Sequence, residues 1–184
     1  MLAKHTGAEV FATAGTTEKR EFIRKTFGIP STHIFSNRGS SLVAKVQKMT
    51  HGKGVDVILN SLAGRLLVDT WKCTGAFGRF VEIGKRDLES NHNLEMEPFT
   101  RNVAFYSVDL LLLGEHRPHI VAKIMREVMR LIDERKIFPV TPMTVYELPQ
   151  IVDAFKLMRS GKHRGKMVVR TDKDAVVRVS NLPG

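Results

Sequence analysis

The stretch GVDVILNSLAG, residues 54–64, decides the fold. After a glycine, residues 55–60 are apolar almost throughout, broken by Asp56, and then give way to the small, polar loop NSLAG. Uninterrupted apolar runs of this length suit a parallel strand covered on both faces rather than an alternating antiparallel one. The segment FGRFVEIG, residues 77–84, has the same character, and the amphipathic stretch 65–73 between the two reads as a helix.

Working outward, the pattern repeats. Residues 1–8 read as a helix tail closed by Gly7, and EVFATAG, 9–15, as a strand. A helix over 17–27 follows, with Thr17 as its N-cap, Glu18 and Glu21 in the first turn, and Phe22, Ile23 and Phe27 on one face. Gly28 and Pro30 stop it. HIFS, 33–36, is a short strand, and 42–49 a helix with Leu42, Val46 and Met49 at turn spacing. Downstream, NVAFYSVDL, 102–110, supplies another strand. Pro118 then opens a long helix whose face carries Ile120, Ile124, Val128, Leu131 and Ile132, with Met125 and Met129 expected in the core. TPMTVYEL, a helix over 149–158 and GKMVVRT close the pattern, and 172–184 read as a linker. Strands alternating with helices at this pitch indicate an α/β, doubly wound Rossmann-type parallel sheet.

The 184 residues carry a formal charge of +10 and one cysteine. The basic residues are spread along the chain and interleaved with acids, and no nucleic-acid-binding motif accompanies them, which argues against nucleic acid as a partner. A lone Cys73 excludes an intrachain disulfide framework and fits a reducing, cytoplasmic setting. No apolar run approaches the roughly 20 residues of a membrane helix. The seven histidines show no metal-ligand spacing, so no metal is expected.

Taken in order, GAEVFATAGTTEKREF, HIFSNR, GVDVILNSLAG, GRFVEIGKRD and SGKHRGKMVV resemble the enoyl reductase domains of highly reducing fungal polyketide synthases. The animal fatty acid synthase domain and, more distantly, the quinone reductases of the medium-chain dehydrogenase superfamily are also similar. The resemblance implies NADPH as cofactor and an α,β-unsaturated acyl thioester on an acyl carrier protein as substrate. It further implies cofactor contacts at Gly15, Thr16, Lys19, Ser36, Arg38, Asn60, Ser61, Leu62, Ile83, Gly84 and Lys166. Thr16 and Lys19 match the contacts to the 2′-phosphate, in keeping with the lack of an acid at the tip of the strand that GTTEKR follows. Lys85 and Asp109 match the family's proposed proton donors. From the residues alone, plainer readings stay open: Lys19 as an exposed helix start, Ser61 as a cap, Lys85 as a loop lysine, Asp109 as a helix cap or salt-bridge partner.

Set against the family, the sequence has no glycine-rich turn between a first strand and a first helix. The expected sheet therefore lacks its first strand, with 1–137 as a partial cofactor domain. Residues 138–171 are expected to return to an absent substrate domain. Such a chain is expected to be a piece of a longer parent, dimeric through that parent and weakly active or inactive alone. A free-standing quinone or enone reductase fragment and a non-catalytic dimerising module are the alternatives.

Overall fold

A short helix, α1 (Leu2–His5), turns at Gly7 into the two-residue strand β1 (Ala12–Thr13) of the computed structural model, which describes residues 1–37, 42–172 and 175–176. Helix α2 (Thr17–Phe27) follows, and its cap is Thr16, not Thr17: Thr16 has extended backbone, which turns its Oγ1 to accept the Lys19 N–H at 3.2 Å. Gly28, left-handed at φ 60°, ends the helix. Strand β2 (Ile34–Phe35) then pairs in parallel with β1, Ala12 opposite Ile34 and Thr13 opposite Phe35.

Helix α3 (Leu42–Met49) leads to β3 (Val55–Asn60), helix α4 (Arg65–Lys72), β4 (Thr74–Glu82), helix α5 (Arg86–Glu89) and β5 (Ala104–Ser107). These strands form a second parallel sheet in the order β3-β4-β5. Gly54 enters it so closely that an added Cβ would meet Gly75 backbone at 2.7 Å, and its φ of +76° also requires glycine. The rest of the residues read as the 102–110 strand leave the sheet, because Asp109 caps a helix not foreseen from sequence, α6 (Leu110–His116), which packs on α7 (Pro118–Asp133).

Two clusters hold this unit together. Phe35, Leu42, Val46 and Cys73 pack beneath α3, and Trp71, Phe80 and Val103 beneath α4, with Ile58 of β3 touching both. Trp71 and Phe80 are fully buried and meet edge to face at 5.3 Å, and the Trp71 indole donates to the Glu95 carbonyl at 2.8 Å. The long α7 departs from expectation: Leu131 is its buried residue, while Met125 and Met129 are about half exposed. A seven-residue α6 cannot cover the face of a sixteen-residue α7.

The doubly wound reading with a strand lacking is what the topology displays. Among the described residues β1 pairs with β2, β3 with β4, and β1 and β3 do not pair with each other. Between them lies a cavity of about 1350 Å³ lined by Val10, Phe11, Ala12 and Thr13 on one side and by 55–62 on the other. The expectation that β3 is covered on both faces fails for the same reason: Val57 and Leu59 are 53% and 71% exposed.

The chain divides into Met1–Glu134 and Arg135–Gly184, against the 137/138 boundary read from sequence. In the second unit β6 (Met143–Glu147) and β7 (Lys166–Arg170) pair in parallel through helix α8 (Ile151–Arg159), a β-α-β crossover. Glu147 and Arg170 close its end as an ion pair at 2.5 Å. Most of the tail read as a linker lies outside the described residues.

Candidate functional site

Parallel sheets of this kind bind ligands at the carboxyl ends of their strands. At the end of β3, Asn60 is 2% exposed; its Nδ2 donates to the Leu62 carbonyl at 2.8 Å and to Glu82 Oε2 at 2.5 Å. Glu82, the last residue of β4 and 1% exposed, accepts the Gly84 N–H on its other oxygen at 2.5 Å. Main chain adds a third tie, the Ile83 N–H donating to the Asn60 carbonyl at 2.9 Å. The loops 60–62 and 83–85 are thereby one unit.

A second carboxylate repeats the arrangement one turn on. Asp87 Oδ2 accepts the Gly64 N–H at 2.6 Å and Oδ1 lies 2.6 Å from His92 Nδ1. The Gly64 N–H, followed by His92, holds the Asp87 carboxyl below its ordinary range despite the opposing effect of burial.

Lys85 and Asp109 stand where these loops open. Their Nζ and Oδ2 are 2.6 Å apart, with side chains 49% and 31% exposed. Asp109 is also the cap of α6, its Oδ1 accepting from Leu111 at 2.9 Å and Leu112 at 3.3 Å. Both plain readings of Asp109, cap and ion-pair partner, therefore hold at once. The contact raises the Lys85 pKa and, with the two helix N–H groups, lowers that of Asp109. At neutral pH Lys85 is an ammonium and Asp109 a carboxylate.

Gly15, Thr16, Lys19 and Ser36 form a separate group at the ends of β1 and β2, all half-buried. Thr16 spends its acceptor capacity on the helix cap and keeps a hydroxyl proton to donate. A hydroxyl donor and a lysine thus stand together at the start of α2, with Glu18 between them in sequence. Arg38 lies outside the described residues. Ser61 does not cap α4, whose cap position is Gly64. Lys166 begins β7 in the second unit, exposed, its N–H donating to the Pro142 carbonyl at 2.9 Å.

Sequence reasoning missed Glu82, Asp87 and His92. The available signal was an acid ending an otherwise apolar strand in EIGKRD, a position whose burial demands partners.

Residues 31–169 match the family model described as zinc-binding dehydrogenase. The chain belongs to that family. Among the described residues of this family member, no group of three or more His, Cys, Asp or Glu comes together that could hold a metal, so no step is routed through zinc. The chain is 48% identical over 183 residues to the squalestatin tetraketide synthase of Cochliobolus lunatus and 48% identical over 179 to a highly reducing polyketide synthase of Penicillium oxalicum. It spans 7% of the length of each of these curated relatives, and 100% and 97% of its own. Among solved structures it superposes on the CurK enoyl reductase with a TM-score of 0.78 at 32% identity, over 93% of this chain and 49% of that one. The nucleotide-binding subdomain of the enoylreductase domain of PpsC from Mycobacterium tuberculosis gives 0.66 at 29% identity over 74% of each.

Proposed function

We propose that the chain is the cofactor-binding part of an NADPH-dependent enoyl reductase acting on α,β-unsaturated acyl thioesters carried by an acyl carrier protein in polyketide synthesis. The observation that carries this reading is the Lys85–Asp109 pair, seated at the carboxyl ends of β4 and β5 beside the interlocked loops 60–62 and 83–85.

When bound, NADPH supplies the hydride for the substrate's β-carbon. Asn60, Ser61, Leu62, Ile83 and Gly84 would line the nicotinamide side, and Thr16, Lys19 and Ser36 the adenine side. Lys85 contributes a fixed positive charge where negative charge gathers on the thioester oxygen, which lowers the barrier electrostatically. Of the two candidate proton donors, Lys85 holds the proton and Asp109 does not, since their contact drives each toward its charged form. Asp109 is then a positioning residue that orients the ammonium from a rigid helix start. A cytoplasmic setting and pairing with a second copy belong to the same reading; the outer edge of β5, with Tyr106 half exposed, suits the latter.

The test is NADPH binding by the purified chain, followed by nicotinamide fluorescence, with Lys19→Ala beside it, and NADPH oxidation on addition of crotonyl-pantetheine. Saturable binding weakened roughly tenfold by Lys19→Ala, the loss of one charge-assisted contact, is expected. Binding equally tight to NADH and indifferent to Lys19 would overturn the cofactor assignment.

A further inference from the structure

Phe77 lies near the amino end of β4, away from the loops at the carboxyl ends of the strands, and takes no part in the proposed chemistry. It is 78% exposed, the most of any large apolar residue described in the first unit. Its backbone is left-handed at φ 59°, a region that a bulky side chain enters only where its surroundings force it.

The local sequence supplies the force. Strands β3 and β4 pair Val55 with Thr74 and next Val57 with Arg79, so residues 75–78 stand opposite Asp56 alone and arch out of the ladder. Glycines hold both feet of the arch. A Cβ on Gly75 would lie 2.5 Å from the Lys53 carbonyl oxygen, and one on Gly78 would lie 2.5 Å from Thr74 Cγ2 and 2.8 Å from the Gly75 carbonyl oxygen. The core gains nothing in return: among the described residues Phe77 joins neither apolar cluster and meets no other aromatic ring. A bulge that turns a large ring outward on strained backbone, without packing it, serves to aim that ring. Aromatics held in this way make good binding anchors, because contact costs them little freedom.

Charge selects the partner. Exposed Lys48 in the last turn of α3, Lys53 in the turn that Gly75 touches and Arg79 two residues beyond Phe77 flank the arch; among the described residues none of them makes an ion pair. Of the acids at this end, Glu95 is committed to Lys72 and Glu97 to Arg101, which leaves Asp56. A second copy of a chain carrying +10 would be repelled, whereas an acidic partner is drawn in.

We propose that Phe77, flanked by Lys48, Lys53 and Arg79, anchors a docking surface for an acidic amphipathic polypeptide segment. The segment covers the ring with apolar side chains and sets carboxylates against the three cations.

The test titrates the isotope-labelled 184-residue chain, followed by NMR, with a helical peptide of leucines and glutamates patterned to give one apolar face. A second peptide has lysine at every glutamate position. Saturable shifts centred on 53–56 and 74–79 are expected with the acidic peptide, weakening at high salt, and none with the basic one. Phe77→Gly should lower the affinity at least roughly tenfold, and Lys53→Glu should also weaken it. Because glycine accepts the left-handed backbone, Phe77→Gly should unfold in urea at a midpoint equal to or above that of the wild type, which separates a docking residue from one that holds the fold. No binding, binding indifferent to Phe77→Gly, or a lowered midpoint for that variant would overturn the proposal. So would Phe77-dependent binding to mixed phosphatidylserine and phosphatidylcholine vesicles in place of the peptide, or self-association of the wild type that Phe77→Gly abolishes, since a membrane or a second copy would then be the occupant.

Discussion

Asn60 and Glu82 meet across the ends of two neighbouring parallel strands, Nδ2 donating to Oε2 at 2.5 Å with both residues sealed from solvent. Each also reaches into its own loop, Asn60 to the Leu62 carbonyl and Glu82 to the Gly84 N–H. A displacement of either loop would therefore break buried polar contacts in both. Asp87 adds the same kind of tie at Gly64. Rigidity of the loops flanking Lys85 thus comes from two carboxylates that do no chemistry of their own.

Replacing Glu82 should destabilise the fold whichever way it is done. Glu82→Ala strands the Gly84 N–H and one Asn60 donor, at about 1–3 kcal/mol. Glu82→Gln keeps the shape but turns an NH2 toward one of two donors, so it should not rescue. Urea unfolding followed by circular dichroism should show a lower midpoint with unchanged slope for both. A wild-type midpoint for the glutamine variant would show that a single acceptor suffices.

The Lys85–Asp109 pair sets stability at the two extremes of pH. The folded pKa of Lys85 is raised above its ordinary 10.5, so its contribution is complete below that value and is lost as pH rises through the folded pKa. For Asp109 the folded pKa is lowered below 3.8, so the contribution is present above 3.8 and is lost as pH falls through the folded value. Asp109→Asn keeps a good helix cap while removing the charge. It should lower the Lys85 pKa, read by NMR titration of the side-chain amine, and flatten both limbs of the stability profile. An unchanged Lys85 pKa would remove the pair from the argument.

Much of this was legible in the sequence. The apolar runs at 55–60 and 77–84 announced parallel strands, though not the exposure of Val57 and Leu59, and the missing first strand appears as the gap between β1 and β3. What escaped were features set by neighbours. Periodicity marked Met125 and Met129 as a stripe but could not say whether anything covers it, and they are exposed. The cap at Thr16 rather than Thr17 turns on backbone geometry that adjacent threonines do not distinguish. Glu82 was missed because its partners lie 22 residues upstream and in its own turn.

Trp71 anchors the second cluster, touching Phe80, Phe99 and Phe105 with ring centroids 5.0 to 5.8 Å away. Trp71→Phe deletes the donor to Glu95 and leaves space beside fully buried Phe80; together these should cost about 2–4 kcal/mol. Trp71 is the chain's one tryptophan, so wild-type unfolding can be followed by its fluorescence and the variant's by circular dichroism. A loss under about 1 kcal/mol would mean that the cluster relaxes around the smaller ring.

Cys73 offers a probe of the first cluster that needs no mutation. Burial, with Asp69 nearby, pushes its thiol up to about 11, and its Sγ donates to the Asp69 carbonyl at 3.2 Å. The thiolate is the reactive form, so at pH 8 the folded chain should resist a thiol-specific disulfide reagent almost completely. Unfolding exposes the same thiol at its ordinary value, and the chain has no other cysteine to confuse the count. Labelling should therefore proceed only through opening of the structure around Phe35, Leu42 and Val46, and its rate should rise with urea in parallel with global unfolding. Fast labelling without denaturant would show that the packing beneath α3 opens locally, placing the weakest part of the unit beside the cavity that Cys73 helps to line.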